Sequence, residues 1–265
     1  MSDPQSPSSY WHETRRPLVN LAFVAPLLLL YEVGVWWAGG GSTSVRNGAD
    51  EWLRAGLAGL GGRLDCLLPA AMVGLFLAWH VGRRESWRLR VETLGGMTAE
   101  SLMYACLLIL IGQAADGWMR SGEAGPVALS LSAVPWTGIR LVHFLGAGLY
   151  EEFLFRLCLV PAAYVALRVL LVPRRWSLWG SVLVTSVVFS LAHYLPPTSD
   201  ATLLSVFSDA MSRVQSSREL WFGFTFRLIA GGMFGILFVW RGFGIAVGCH
   251  AAYDVVVGIV LVSDL

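Results

Sequence analysis

Long runs of apolar residues alternate with shorter polar connections along most of this 265-residue chain. Several runs approach the roughly 20 residues that an α-helix needs to cross the hydrocarbon core of a bilayer. The pattern predicts an all-α fold, a polytopic transmembrane helical bundle with about seven spans, or eight if the apolar residues after Pro161 form a separate helix. The predicted spans cover about residues 17–38, 64–81, 99–116, 139–160, 177–195, 219–240 and 243–263.

The polar segments outside the spans define the domain organisation. Residues 1–16 are rich in Ser and Pro and predict a disordered tail, which leaves residues 17–265 as a single membrane domain. The run that begins at residue 17 fits either a cleaved signal peptide or a retained anchor helix, and its length favours the anchor. Two connections have helical patterns: Ala49–Leu60 predicts a helix on the membrane surface, and Pro196–Arg218 predicts a short amphipathic helix.

Composition places the chain among membrane proteins. Hydrophobic residues make up 55% of the chain and charged residues only 14%, against about 25% charged residues in a typical soluble domain. Most arginines in the connections fall on one side of a seven-span bundle, which puts the N-terminus in the cytoplasm. A chain without Lys, and rich in Ala, Gly, Leu, Trp and Arg, looks bacterial, so we expect the bacterial inner membrane. A net charge of +1, without a Lys/Arg-rich block, gives no indication of a nucleic-acid partner.

The adjacent pair Glu151-Glu152 lies inside a predicted span, where each charged side chain costs roughly 2.5–3.5 kcal/mol near the bilayer centre. In an α-helix Glu152 faces Arg156, four residues later, and the two side chains can form an ion pair. Glu151 points about 100° away, without a cationic partner in its own helix. A carboxylate in such a dry position binds its proton more tightly, which suits a general base. The alternative is that these carboxylates make structural ion bridges between helices.

Two further predicted spans carry histidines. Phe189 and His193 are four residues apart at the end of one span, and His250 and Asp254 are four apart in the last span, so each pair shares a helix face. Asp254 can orient the imidazole of His250, or both side chains can contact one ligand group. The alternatives are an interfacial histidine at position 193 and, for the second pair, a buried hydrogen bond that joins two helices.

Three patterns occur in order within residues 139–262: Glu151-Glu152-x-x-x-Arg156, Phe189-x-x-x-His193 and His250-x-x-x-Asp254. This ordered set resembles the CPBP family of intramembrane proteases, which includes CAAX prenyl endopeptidases, bacteriocin-processing enzymes and Abi-like proteins. The resemblance implies a glutamic or metallo intramembrane endopeptidase. Its substrate would be a membrane-associated peptide or a C-terminal sorting or processing signal.

The resemblance also implies a role for each motif residue. Glu151 and His193 activate a water molecule, and His250 with the residue at position 254 binds the oxyanion. The family usually has Asn at that last position, whereas this chain has Asp254, and an ionised carboxylate cannot donate a hydrogen bond. Asp254 is therefore expected to orient His250. The remaining motif residues support these four: Glu152, Arg156 and Phe189.

Two mechanisms are open within this resemblance. A metal-free reaction needs only the glutamate and histidine, whereas a metalloprotease would bind a divalent ion such as zinc through Glu151, His193 and His250. No further Cys or His ligand stands out, so we expect the metal-free reaction and no cofactor. The expected partners are membrane lipid and a protein or peptide substrate with a membrane-embedded or C-terminal segment. The rival class is a proton-coupled transporter or a bacteriocin-immunity-type membrane protein, although no inverted repeat supports a transporter.

Overall fold

The computed structural model of the chain describes residues 7–39, 46–58, 67–119, 137–195 and 203–261. All regular secondary structure in these residues is helical, which confirms the predicted all-α fold. The α-helices are α1 (Pro7–Glu13), α2 (Pro17–Gly39), α3 (Gly48–Ala58), α4 (Leu67–Arg83), α5 (Val91–Met119), α6 (Thr137–Gly146), α7 (Val160–Val169), α8 (Arg174–Ala192), α9 (Leu203–Ser216), α10 (Arg218–Arg241) and α11 (Phe243–Val255). Three segments are π-helical: Ala147–Glu151, Phe153–Leu159 and Val256–Leu261.

The described residues form two compact units. The first unit comprises the described parts of Met1–Ile109, Ala128–Leu154 and Leu237–Leu265, and the second comprises those of Leu110–Val127 and Phe155–Ile236. In the first unit, α2 packs against α4, α6 and α11, and α11 also packs against the π-helical turn before Glu152. In the second unit, α7 packs along α8, and α8 contacts α9. A cluster of buried apolar residues fills the core of the second unit: Leu191, Tyr194, Ala210, Val214 and Phe224.

Among the described residues, four helical stretches are long and apolar enough to cross a membrane: Pro17–Ala38, Val91–Gly117, Arg174–Ala192 and Arg218–Arg241. Two shorter apolar stretches are Leu67–Arg83 and Phe243–Ile259. Together they overlap six of the seven predicted spans. The other predicted span is also helical, but π-helical turns and two glutamates interrupt its apolar pattern. The count of seven or eight spans therefore stays a prediction.

Two local predictions of helices are confirmed. Helix α3 begins one residue before the predicted segment Ala49–Leu60 and is described as far as Ala58. Helix α9 lies within the predicted segment Pro196–Arg218. The chain is also helical at Pro161, which stands in the first turn of α7. The helical chain thus runs from α6 through the two π-helical segments into α7 without a break at Pro161.

The N-terminal tail differs from the prediction, because residues 7–13 form helix α1 rather than disordered chain. The Tyr10 hydroxyl donates to Glu100 Oε2 at 2.8 Å, and Arg241 Nη2 donates to the same oxygen at 2.7 Å. The Arg241 guanidinium also lies 3.6 Å from the centroid of the Trp11 ring. Burial, together with the neighbouring Glu100 carboxylate, raises the pKa of the Tyr10 hydroxyl, so Tyr10 stays a donor at neutral pH. Two aromatic side chains that cover a charged pair thus order a segment whose Ser- and Pro-rich composition suggested disorder.

The contact between Ala147–Glu151 and α11 depends on Gly148. A Cβ on Gly148 would lie 2.6 Å from the backbone nitrogen of Ala251 and 2.7 Å from its Cα. Packed carbon atoms do not approach so closely, and backbone cannot rotate away as a side chain can. Because Ala251 follows His250, this glycine decides how near His250 comes to the π-helical turn. Helix α11 starts after Gly242, whose φ of 101° lies in the left-handed region that favours glycine.

We expect Gly148→Ala to push α11 away and to lower the free energy of unfolding by about 1–3 kcal/mol, the usual cost of overpacking. The matched control is Gly74→Ala in α4, where a Cβ would meet no heavy atom within 4 Å. Thermal unfolding of both variants in detergent, followed by circular dichroism, measures the difference. A Gly148→Ala protein with the Tm of the wild type would contradict the tight contact.

Candidate functional site

The two glutamates of the first motif lie where the chain changes from α-helix to π-helix. Helix α6 ends at Gly146, the π-helical turn Ala147–Glu151 follows, and Glu152 separates it from the π-helical segment Phe153–Leu159. A π-helix forms i→i+5 hydrogen bonds, and single π turns are frequent at functional sites. Because a π turn contains more residues than an α turn, the α-helical spacing does not describe which side chains face each other here.

Helix α11 brings His250 to both glutamates. His250 Nδ1 lies 2.9 Å from Glu152 Oε1, and Nε2 lies 4.0 Å from Glu151 Oε2. Nε2 also lies 3.4 Å from Oδ2 of Asp254, one turn later on α11, as the spacing of these two residues predicts. The two adjacent glutamates thus approach one imidazole, Glu151 beside Nε2 and Glu152 beside Nδ1. We call these four residues the carboxylate–histidine cluster.

The carboxylate–histidine cluster is largely buried. The side chain of Glu152 is fully buried and that of His250 is 6% exposed, while those of Glu151 and Asp254 are 12% and 21% exposed. An ionised carboxylate only accepts hydrogen bonds, so Nδ1–H of His250 donates to Glu152 when that glutamate is charged. Three carboxylates therefore lie around one imidazole in a site that is largely shielded from water.

Sequence patterns missed Asn47, which reaches the cluster from the N-terminal half of the chain. Asn47 Nδ2 donates to Glu151 Oε1 at 3.1 Å. Asn47 precedes α3, and its Oδ1 accepts from the backbone N–H of Ala49 at 2.8 Å, as an N-cap side chain does. An Asn before a helical pattern is a signal for an N-cap. No signal in the sequence indicates the contact with Glu151, which lies 104 residues away along the chain.

A second missed group surrounds Tyr150, next to the cluster. The Tyr150 hydroxyl donates to Glu32 Oε1, and Arg54 Nη2 donates to the same oxygen at 3.1 Å. Arg54 and Arg46 both pair with Asp50, at 2.6 and 2.8 Å. Burial alone would lower the pKa of Arg46, but the hydrogen bond and the charge of Asp50 raise it overall. The two arginines and the two carboxylates, Glu32 and Asp50, thus hold α3 to α2 and to Tyr150.

His193 belongs to the second unit, where it caps the C-terminus of α8. Its Nδ1 lies 2.9 Å from the carbonyl oxygen of Phe189. A carbonyl only accepts hydrogen bonds, so Nδ1 carries the hydrogen and Nε2 is the acceptor nitrogen of the neutral ring. This tautomer suits a general base. The convergence of His193 with the carboxylate–histidine cluster stays a prediction.

The supporting residues Arg156 and Phe189 also lie in the second unit. Arg156 Nη2 donates to the carbonyl oxygen of Gly231 at 3.1 Å, and its guanidinium lies 4.7 Å from the centroid of the Phe189 ring. The Phe189 ring in turn packs edge-on to His193, with centroids 5.0 Å apart. Arg156 and Phe189 therefore help to orient His193. The ion pair expected between Arg156 and Glu152 stays a prediction.

In a zinc site, three or four ligand atoms converge at about 2.0–2.3 Å from one ion. Among the residues that the structure describes, no group of three or more His, Cys, Asp or Glu side chains is placed to hold a metal ion. In the first unit, both ring nitrogens of His250 already face carboxylate oxygens. The metal-free reaction stays a prediction, and no reaction step in the proposed function is assigned to a metal.

The C-terminal half of the chain matches a known protein family. Residues 133–256 match the family model described as Rce1-like, type II CAAX prenyl endopeptidase. The matched segment contains the whole carboxylate–histidine cluster and His193, whereas Asn47 lies outside it. No curated protein and no solved structure matches the chain. The apolar helices and the family match together identify an integral membrane protein. Its segment 133–256 matches the Rce1-like model of type II CAAX prenyl endopeptidases, in agreement with the motifs.

Proposed function

We propose that the protein is an intramembrane endopeptidase that hydrolyses a peptide bond with a water molecule activated by Glu151 and His193. The observation that carries the proposal is the carboxylate–histidine cluster, which lies in the family-matched segment of a membrane protein. Buried carboxylates are expensive in a membrane protein and mark functional sites. A structural ion bridge would need one carboxylate for His250, whereas three surround it here.

Each member of the cluster has a distinct role in this proposal. Glu151 is more exposed than Glu152, at 12% against 0%, so Glu151 is the carboxylate that water reaches and that takes a proton from it. Glu152 holds the His250 ring through Nδ1. The other ring nitrogen, Nε2, then donates its hydrogen to the oxyanion that forms on the scissile carbonyl, and Asp254 orients that donor. The proton held by Glu151 passes to the leaving amine.

The proposed substrate is a membrane-associated peptide or a C-terminal sorting or processing signal. The family description names CAAX prenyl endopeptidases, so a prenylated CAAX peptide is one substrate class to test. The absence of Lys from the chain favours a bacterial source and therefore an unmodified peptide. We place the protein in a bacterial inner membrane with its N-terminus in the cytoplasm, because most arginines of the connections lie on that side.

The test of the function is a comparison of protein termini. Cells that produce the wild type or Glu151→Gln are fractionated, and the termini of membrane and secreted proteins are identified by mass spectrometry. We expect some termini only with the wild type. Identical termini in both cultures would contradict a protease and favour a proton-coupled transporter or a bacteriocin-immunity-type protein. Internally quenched peptides, one prenylated and one unmodified, then distinguish the two substrate classes with the purified protein.

We expect Glu151→Gln to lower kcat by about 100- to 10,000-fold, because Gln keeps the shape of the side chain but cannot take a proton. Glu152→Gln is the matched control. Its amide oxygen can still accept from His250 Nδ1, so the loss should be near tenfold, or about 1.4 kcal/mol. Because Glu152 is fully buried, this variant should lower the Tm more than Glu151→Gln does. Equal residual turnover in the two variants would contradict the assigned roles.

We expect His193→Asn to lower kcat by at least about 100-fold while the protein keeps its Tm. The Asn amide places a donor where Nδ1 stands and can keep the hydrogen bond to the Phe189 carbonyl, but it has no equivalent of Nε2. Turnover of the quenched peptides and thermal unfolding are measured on the same preparation. A His193→Asn protein with full turnover would remove His193 from the proposed site.

We expect Asp254→Asn to retain activity within about tenfold of the wild type, or about 1.4 kcal/mol. Asn can still accept from His250, and it can also donate to the oxyanion. Turnover is measured across about pH 6–8, where an ordinary histidine titrates, together with the metal content of both proteins. A loss beyond about a thousandfold, or the loss of a stoichiometric metal, would overturn the orienting role and favour a metalloprotease.

A further inference from the structure

Helix α3 lies outside the family-matched segment, yet its N-cap residue contacts the proposed catalytic carboxylate. Asn47 binds three partners through its backbone N–H and its side-chain amide. Its backbone N–H donates to the Tyr31 hydroxyl at 3.1 Å, and its Oδ1 accepts from Ala49 N–H at 2.8 Å. Because the N–H of Ala49 requires an oxygen, the amide orientation is settled, and Nδ2 must point to Glu151 Oε1, 3.1 Å away.

The support beneath Asn47 is a buried network of charge-assisted hydrogen bonds. Tyr31 and Asp50 are both fully buried, and the Tyr31 hydroxyl donates to Asp50 Oδ2 at 2.8 Å. Asp50 also accepts from Arg46 at 2.8 Å and from Arg54 at 2.6 Å. Hydrogen bonds between ionised groups are roughly twice as strong as neutral ones. The first turn of α3, and Asn47 with it, is therefore held firmly to α2.

A second set of contacts holds the backbone next to Glu151, which accepts the hydrogen bond from Asn47. Glu32 of α2 accepts from Arg54 at 3.1 Å and from the Tyr150 hydroxyl. The Tyr31 and Tyr150 rings pack edge-on, with centroids 5.2 Å apart, and a Cβ on Gly146 would collide with the Tyr31 ring. Helices α2 and α3 therefore fix both the donor, Asn47, and the backbone that carries the acceptor, Glu151.

We propose that Asn47 is a positioning residue for Glu151, a role that rests on the proposed function of Glu151 as the base. The hydrogen bond from the Asn47 amide holds the Glu151 carboxylate in one orientation. Because Nδ2 binds Oε1, the other oxygen, Oε2, is the one directed toward His250. Asn47 thus acts on the reaction through Glu151 and not by contact with the substrate.

Helices α2, α3, α6 and α11 all pack against the π-helical turn that carries Glu151. His250 lies 4.0 Å from Glu151, and Asp254 shares the same ring nitrogen of His250. The acidic, basic and histidine residues on these four helices are Glu32, Asp50, Glu51, Arg54, Arg140, His143, His250 and Asp254. The substitutions proposed below leave all of them in place.

Asn47→Asp separates the two roles of this side chain. Asp caps a helix about as well as Asn, so α3 should still form, which circular dichroism checks. Its carboxylate cannot donate to Glu151, so kcat should fall about 10- to 100-fold with KM unchanged. A second carboxylate beside Glu151 makes that glutamate harder to ionise, so the acid limb of the pH–rate profile should move to higher pH.

Two further variants complete the series. Gly48→Asp is the matched charge control, because it adds the same charge one residue later, at a position where a Cβ meets no heavy atom within 4 Å. It should retain the kcat and the pH profile of the wild type. Asn47→Ser keeps a capping oxygen on a side chain too short to reach Glu151, so it tests the same point if Asn47→Asp does not fold.

All variants are measured as purified full-length protein with the two quenched peptides, beside Glu151→Gln. If Glu151→Gln retains the turnover of the wild type, the proposed function fails and the positioning role fails with it. If Glu151→Gln is inactive while Asn47→Asp, or Asn47→Ser in its place, has the kcat and pH profile of the wild type, only the positioning role is overturned. Equal losses in Asn47→Asp and Gly48→Asp would also overturn it, because charge alone would then explain the effect. A loss of kcat confined to the Asn47 variants, with α3 still formed, supports it.

Discussion

A buried carboxylate and a buried imidazole join the two ends of the family-matched segment, where Glu152 Oε1 lies 2.9 Å from His250 Nδ1. Removal of one partner from such a pair typically costs about 3–5 kcal/mol, because the other is left uncompensated. This contact therefore ties α11 to the turn before Glu152, and it fixes the imidazole that Glu151 and Asp254 also approach. The same contact between Glu152 and His250 thus holds the helices of the first unit together and positions the groups of the candidate site.

The backbone is adapted to that contact in two ways. The π-helical turn Ala147–Glu151 widens the helix at the point where two adjacent glutamates both approach His250. Gly148 lets the backbone of α11 approach the same turn at a distance that any side chain would prevent. A π turn and a missing side chain both weaken a helix when taken alone. Their presence together at the cluster indicates that geometry for chemistry outweighs local helix stability there.

The N-terminal half of the chain does more than supply spans. Helix α1 covers the pair formed by Glu100 and Arg241, and so connects the N-terminal segment to the end of α10. Helix α3 presents Asn47 to Glu151. In both contacts one partner lies within residues 133–256 and another lies before residue 133. The family-matched segment alone therefore does not contain all the groups that hold its glutamates and its last helix.

Much of this protein is determined by local sequence. Apolar runs of nearly bilayer length predict the all-α membrane fold, because helical hydrogen bonds are satisfied within each segment. Helices α3 and α9 follow from their own periodicity, and the His250–Asp254 pair follows from a spacing of four residues. Tertiary structure alone decided that Glu152 meets His250 and that Asn47 meets Glu151, since each contact joins residues about a hundred positions apart. It also decided the π-helical turn and the order of α1, because both depend on packing against distant segments and not on the preference of any short stretch of chain.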